Sequence, residues 1–153
     1  IEDLEIVMPY IALESHELVS ALRNSSLVNL KLEILGPGHT NMTKHISSLL
    51  DAFQTNTMLT HLIIQIRYAV IGVEHIVQLL TKNSTLETLK LEGISIIQDG
   101  IDDERLKSIS TNETLTDVWP GAPSLMRQVA ERNKRNKLMR DARLFGLTSH
   151  VMY

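Results

Sequence analysis

Three aspartates are the residues whose type and spacing most suggest chemistry. Asp99, Asp102 and Asp103 lie close together in the sequence, and carboxylate oxygens are preferred ligands of hard cations such as Ca²⁺. Their spacing lacks the EF-hand pattern, however, and Asp102 and Asp103 stand where a predicted helix begins. Acidic side chains are favourable at the positive end of a helix. We therefore interpret them as helix-capping residues, with cation binding as the alternative.

Other catalytic or metal-binding patterns are weak or missing from the sequence. The six histidines are scattered, and none pairs with another histidine or a carboxylate at a convincing ligand spacing. The sequence has no Gly-rich phosphate loop and no GxSxG elbow. It also has no cysteine, which rules out disulfides, thiolate zinc sites and cysteine nucleophiles. We predict a protein that is not an enzyme and that binds no metal or cofactor.

Composition is that of one ordinary globular domain. The chain has 153 residues, of which 43% are hydrophobic and 22% charged, and its formal net charge is -3. No apolar run approaches the roughly 18 residues that a membrane span requires, and the N-terminus shows no signal-peptide pattern. These features favour an intracellular, cytoplasmic protein without a general preference for nucleic acid or membranes.

The dominant pattern is a repeat built on four asparagines. Asn24, Asn56, Asn83 and Asn112 lie 32, 27 and 29 residues apart by subtraction. Apolar residues recur six and three residues before each asparagine, and three, six and eight residues after it, with Pro120 as the one exception. In chain order these residues are Leu18, Ala21, Leu27, Leu30 and Leu32 around Asn24; Leu50, Phe53, Leu59, Leu62 and Ile64 around Asn56; Val77, Leu80, Leu86, Leu89 and Leu91 around Asn83; and Leu106, Ile109, Leu115 and Val118 around Asn112. The spacing of three is helical and the spacing of two is that of a strand. Each unit is therefore predicted to be a helix, a turn and a strand, stacked on its neighbours.

The periodicity places the elements along the chain. We expect a first strand at Ile1–Ile6, a helix from Ser15 to Asn24 with Ser15 as its cap, and turns from Gly36 to Asn41 after the second strand. The later elements are predicted as a helix at 43–54, a strand at 59–66, a helix at 73–82, a strand at 86–91, a loop at 93–100 and a helix at 102–109. The chain begins inside a repeat, so we expect further repeats or a cap upstream.

The pattern Leu86-x-x-Leu89-x-Leu91, preceded by a helix and Asn83, resembles leucine-rich repeats of the ribonuclease-inhibitor-like type. That type has a period of about 28 to 29 residues, and the resemblance covers residues 1–120. It implies a curved α/β solenoid of four to five repeats with parallel strands on the concave face and helices on the convex face. The family usually has asparagine three residues after the last strand leucine, but here Leu35, Arg67 and Ile94 stand there. The resemblance therefore implies a degenerate member, which binds a partner through the concave face or its rims.

Strand alternation selects the residues of that face. The first predicted row is Asp3, Asn29, His61, Thr88 and Asp117; the second is Glu5, Lys31, Ile63, Lys90 and Trp119; the third is Val7, Glu33, Gln65 and Glu92. We take Lys31, Glu33, His61, Ile63, Gln65, Lys90, Glu92, Asp117 and Trp119 as candidate partner-binding residues. Trp119 is open to three interpretations: cover by the C-terminal segment, a partner contact, or exposure without function.

The character of the chain changes after Trp119. Residues 121–153 hold seven basic and two acidic residues, against eight basic and sixteen acidic in residues 1–120. Ser124 is predicted to cap a helix beginning at Leu125, with Gly146 as its stop. The basic stretch Arg132, Lys134, Arg135 and Lys137 either lies on a capping helix that shields the last repeat, docks an acidic protein, or contacts nucleic acid or an acidic membrane.

The sequence thus favours a non-catalytic scaffold that binds a protein partner. One alternative is a structural piece of a larger assembly. The other is binding of nucleic acid or an acidic surface through the basic C-terminal helix, although no aromatic residues are interleaved for base stacking.

Overall fold

The computed structural model describes residues 2–36, 40–97 and 103–146, and its strands form one parallel sheet. The strands are β1 Asp3–Pro9, β2 Asn29–Leu35, β3 His61–Gly72, β4 Thr88–Ile97 and β5 Asp117–Val118. Their order in the sheet is their order in the sequence, and every pairing is parallel. The predicted α/β class with parallel strands is confirmed.

Helical segments connect the strands, because parallel neighbours require a crossover. The α-helices are α1 His16–Arg23, α2 Thr40–Phe53, α3 Val73–Lys82, α4 Asp103–Lys107 and α5 Ser124–Leu144, and two 3-10 helices occupy Tyr10–Glu14 and Ser108–Thr111. Ser15 caps α1 as predicted, since its Oγ accepts a hydrogen bond from the backbone N–H of Leu18 at 3.2 Å. Ser124 is not a cap: it is the first residue of α5 and follows Pro123, which has no side-chain acceptor.

The core lies between the helices and one side of the sheet. Leu30, Leu32, Leu62, Ile64, Leu89 and Leu91 alternate along the three central strands and are buried. Leu49, Leu50 and Phe53 of α2 belong to the same core cluster, as do Ile76, Leu79 and Leu80 of α3. The apolar positions of the repeat are therefore buried in the core or packed against it, apart from Ala21, which is exposed. In α1 the buried residue is Leu22, which lies four residues after the partly buried Leu18 on the same helical stripe.

Several predicted boundaries are wrong. Strand β3 continues past Ile66 to Gly72, and β4 continues to Ile97, where a loop from Gly93 was expected. The two extensions pair with each other, from Ala69 with Ile94 to Gly72 with Ile97. Apolar, β-branched side chains favour such a pleated, half-buried surface. The repeat register did not predict them because they lie beyond its last leucine.

The helices also differ from their predicted limits. Helix α2 begins at Thr40 instead of residue 43, and the expected helix over 102–109 is divided into α4 and a 3-10 helix. The structure does not describe four of the residues for which predictions were made: Ile1, His39, Asp99 and Asp102. The predictions for these residues therefore lie outside the described part of the chain.

Candidate partner-binding face of the sheet

A ladder of asparagine side chains joins the units that position the sheet. The Asn83 side chain is buried, and its Nδ2 donates to the carbonyl oxygens of Phe53 and Asn56 of the previous unit, both at 2.9 Å. Its Oδ1 accepts from the backbone N–H groups of Thr85 and Leu86 at 2.9 and 2.8 Å. One side chain therefore holds its own turn in shape and ties it to the preceding turn.

The neighbouring asparagines repeat this arrangement. Asn112 Nδ2 donates to Leu80 and Asn83 carbonyls, and its Oδ1 accepts from the N–H groups of Thr114 and Leu115. Asn56 bonds in the same way to the turn that contains Leu22 and Ser25. Asn24 is exposed and its Nδ2 donates within its own helix, to Ser20.

Helix α5 provides one further member of this asparagine ladder. Asn133 is only 2% exposed, and its Nδ2 donates to the carbonyls of Asn112 and Leu115 at 3.0 and 2.9 Å. Arg132 reinforces the contact, because its Nη1 and Nη2 donate to the carbonyls of Ser110 and Asn112, both at 2.6 Å. The first half of the helix is thereby fastened to the turn that precedes β5. Sequence reasoning placed Arg132 in a basic tail and missed Asn133.

The other side of the sheet carries the rows that alternation predicted. Asp3, Asn29, His61, Thr88 and Asp117 are successive partners across the five strands. Glu5, Lys31, Ile63 and Lys90 form the second row, and Val7, Glu33, Gln65 and Glu92 form the third. His61, Glu92 and Asp117 are exposed, whereas Lys31, Glu33, Ile63, Gln65 and Lys90 are half-buried. The structure therefore brings eight of the nine candidate residues onto one surface, which we call the sheet face.

Two residues predicted for the rows of this face are buried, Trp119 and Thr88. For Trp119 this agrees with the interpretation that the C-terminal segment covers it and contradicts its choice as a partner-binding residue. Trp119 is only 6% exposed and belongs to the core cluster with Ala122 and Met126. Strand β5 ends at Val118 and the chain then turns, with Ala122 N–H donating to the Trp119 carbonyl at 3.0 Å, so the indole does not continue the second row. Thr88 is also buried, because its short side chain lies between His61 and Asp117 in the first row.

Charges on the sheet face are unevenly neutralised. Lys31 pairs with Glu5 at 2.6 Å, and Lys90 pairs with Asp117 at 2.9 Å. The hydrogen bond and the charge of Glu5 raise the pKa of Lys31, and the charges of Glu33 and Glu92 add to the effect. Gln65 donates to Glu92, and among the described residues no cation forms an ion pair with Glu33 or Glu92. Five carboxylates and two lysines occupy the three rows, so the face is acidic.

A bulge interrupts the sheet beside the third row. Gln65 pairs with Glu92 and Ala69 pairs with Ile94, so three residues of β3 stand opposite the single residue Gly93. Gly93 has φ +77°, and a Cβ there would lie 1.8 Å from the carbonyl oxygen of Ile66. The bulge exposes Arg67 and Tyr68 at a cleft of about 930 Å³ that Trp119 also lines. The isolated Gly93 within a strand-like run was the available sequence signal for a bulge.

The basic tail residues divide into two groups. Arg132 and Lys137 bond within the chain, the latter through an ion pair of 3.2 Å to Glu87. Lys134 and Arg135 are exposed. Part of the predicted basic stretch therefore fastens α5 to the sheet, and the remainder faces solvent.

Within the described residues no group of three or more His, Cys, Asp or Glu side chains is arranged to hold a metal ion. In the same part of the chain, no helix is long and apolar enough to cross a membrane. No family model matches the sequence, and no curated protein is significantly similar to it.

Proposed function

We propose that this chain is a leucine-rich-repeat protein of the ribonuclease-inhibitor-like type that serves as a non-catalytic scaffold for a protein partner. The observation that carries the proposal is the sheet face. Parallel strands in sequential order present three registered rows of solvent-facing side chains, while the opposite side is buried against the helices. A solenoid whose units contact only their neighbours presents such an extended surface for binding.

The geometry of the face supports protein recognition in particular. Half-buried Ile63 lies centrally, between Lys31 and Lys90 in the second row. Ion pairs hold both lysines in place, which reduces the side-chain entropy that a partner would have to remove on binding. An apolar centre within a polar rim is the usual anatomy of a protein interface.

The two alternatives from the sequence lack a comparable observation. Binding of nucleic acid through the basic tail would have to use the exposed part of α5, since Arg132 and Lys137 are engaged within the chain. A structural role in a larger assembly would bury the rims and the tail, and self-association of the isolated chain would favour it. Both stay predictions.

The test is affinity capture with a variant of the face and a matched variant of the helical side. Ile63→Arg with Gln65→Arg places two large cations on the sheet face, whereas Ala21→Arg with Ser48→Arg places them at exposed positions of α1 and α2. We expect a captured protein to bind the wild type and the helical-side variant but to lose at least tenfold in affinity for the face variant. Each protein is first checked for an unchanged circular dichroism spectrum and unfolding midpoint.

Retention of every captured protein by the face variant would contradict the proposal. Titration of the purified partner by calorimetry then gives the change in Kd directly.

A further inference from the structure

The outer half of α5, residues 134–146, projects away from the core. Every residue in it is exposed except Ala142, which is half-buried. The last buried residue of the helix is Asn133. Apart from the ion pair of Lys137 with Glu87, no residue of this half is buried against the described chain, so it gains little of the tertiary packing that supplies most helical stability.

The outer half combines positive charge with an apolar stripe. It holds five basic residues and one acidic residue. Leu138, Ala142 and Phe145 follow one another at spacings of four and three residues, which places them on one side of the helix. Leu138 and Phe145 are 63% and 79% exposed. Lys134 and Arg135 lie one turn before Leu138 on that same side.

The sheet face has the complementary properties. It is acidic, its third row contains Glu33 and Glu92 without a cationic partner among the described residues, and Ile63 provides an apolar centre beside them. The width of the sheet face and the length of the outer half of α5 also agree. Four strands span about 14 Å at the usual spacing, and residues 134–144 of a helix rise about 15 Å.

We propose that the sheet face binds the outer half of α5 from a second copy of this chain. The inference rests on the proposed function and names the partner of the same surface. Lys134 and Arg135 of one copy would meet Glu33 and Glu92 of the next, with the Leu138 stripe against Ile63. The two surfaces differ, so the contact is head-to-tail and can extend into a row of molecules unless the rotation closes.

The contact area is small, and the association is therefore expected to be weak and to depend on concentration and salt. Interfaces below about 1,200 Å² are typical of transient encounters. The Debye length falls from about 30 Å at 0.01 M to about 3 Å at 1 M ionic strength. We expect the mass of the wild-type chain, measured by sedimentation equilibrium, to rise with concentration at low salt and to return to that of the monomer at high salt.

Two charge-reversed proteins make the test specific. Glu33→Lys with Glu92→Lys disables the face but keeps the helix, and Lys134→Glu with Arg135→Glu disables the helix but keeps the face. Each is expected to be monomeric alone. Their mixture is expected to associate again, because the intact helix of the first protein meets the intact face of the second, and the basic face of the first meets the acidic helix of the second. Arg23→Glu with Lys44→Glu, which changes the same charge at exposed sites on α1 and α2, is expected to associate like the wild type.

Three results would overturn the inference: a monomeric wild type at low salt, a mixture with no heterodimer, or an equal loss in the Arg23 and Lys44 control. A monomeric wild type whose captured partner is still lost with the Ile63 and Gln65 variant would reject self-association and leave the scaffold function intact. A heterodimer in the mixture, together with no other captured protein, would support self-association and reject the scaffold function for a different protein.

Discussion

Single asparagines determine how the turns of this protein are held together. The Asn83 amide makes four bonds to backbone groups, two in its own turn and two in the preceding one. All of these groups lie in or next to the core, where an unpaired polar group has no water to replace the lost bond. The residue is thus both a local turn former and a link between neighbouring units.

Substitution of Asn83 by alanine tests this role. We expect a loss of about 3 kcal/mol in the free energy of unfolding, because each buried group left without a partner costs about 1–3 kcal/mol. The control is Asn24→Ala at the equivalent position of the repeat. Asn24 is exposed and its Nδ2 donates to Ser20 of its own helix, so its loss should stay within about 0.5 kcal/mol. Equal urea unfolding curves for the two variants would show that the asparagine ladder does not stabilise the fold.

At the scale of elements, the pairing of β3 with β4 depends on the bulge at Gly93. Three residues of β3 pass opposite this glycine, and the strands regain register from Ala69 onward. The pairing from Ala69 onward carries both strands beyond the repeat motif. The bulge before it exposes Arg67 and Tyr68. A side chain at Gly93 is excluded by its positive φ and by the closeness of the Ile66 carbonyl.

Two glycine-to-alanine variants separate the cost of a positive φ from the cost of the close contact with the Ile66 carbonyl. Both Gly93 and Gly146 have positive φ, at +77° and +69°, but a Cβ at Gly146 would meet nothing within 4 Å. We expect Gly146→Ala to cost about 1 kcal/mol from the left-handed conformation alone. Gly93→Ala should cost about 2 kcal/mol more, because the bulge has to open to admit the methyl group. Thermal unfolding measures both values, and a cost no greater for Gly93→Ala would mean that the bulge relaxes freely.

At the scale of the whole molecule, the sheet and its terminal helix form one continuous series of links. Each strand pairs only with its neighbours in the sequence, and α5 follows β5 with Asn133 in the next asparagine position. Arg132 adds two carbonyl contacts at the same place. The charge of the molecule follows this division, with an acidic body and a basic helix at one end.

The contact of Asn133 with the turn before β5 is tested by substitutions in α5. Asn133→Ala is expected to lower the free energy of unfolding by about 2 kcal/mol, since it removes the Asn133 donor from the buried Leu115 carbonyl and one of the two donors to the Asn112 carbonyl. It is also expected to speed amide hydrogen exchange in residues 112–118. Asn136→Ala, in the exposed part of the same helix, should change stability by less than about 0.5 kcal/mol. If Asn133→Ala leaves exchange around β5 unchanged, α5 does not close that end of the sheet.

The sequence by itself determined the unit and the row positions of the sheet face. A spacing of two after each asparagine and of three before it places Leu62, Ile64 and Phe53 in the core, and the same alternation places Lys31, Ile63 and Glu33 on the opposite side. These assignments depend only on strand and helix geometry, which acts over a few residues.

Tertiary structure alone decided what depends on contacts between distant residues. Trp119 left the face because the chain turns after Val118 and the indole is buried in the core cluster. The strands lengthened because residues 69–72 found partners at 94–97. Asn133 became a ladder residue because α5 brings it against the carbonyls of Asn112 and Leu115. Burial and hydrogen-bond pairing of this kind are set by which segments meet, and no local periodicity encodes that.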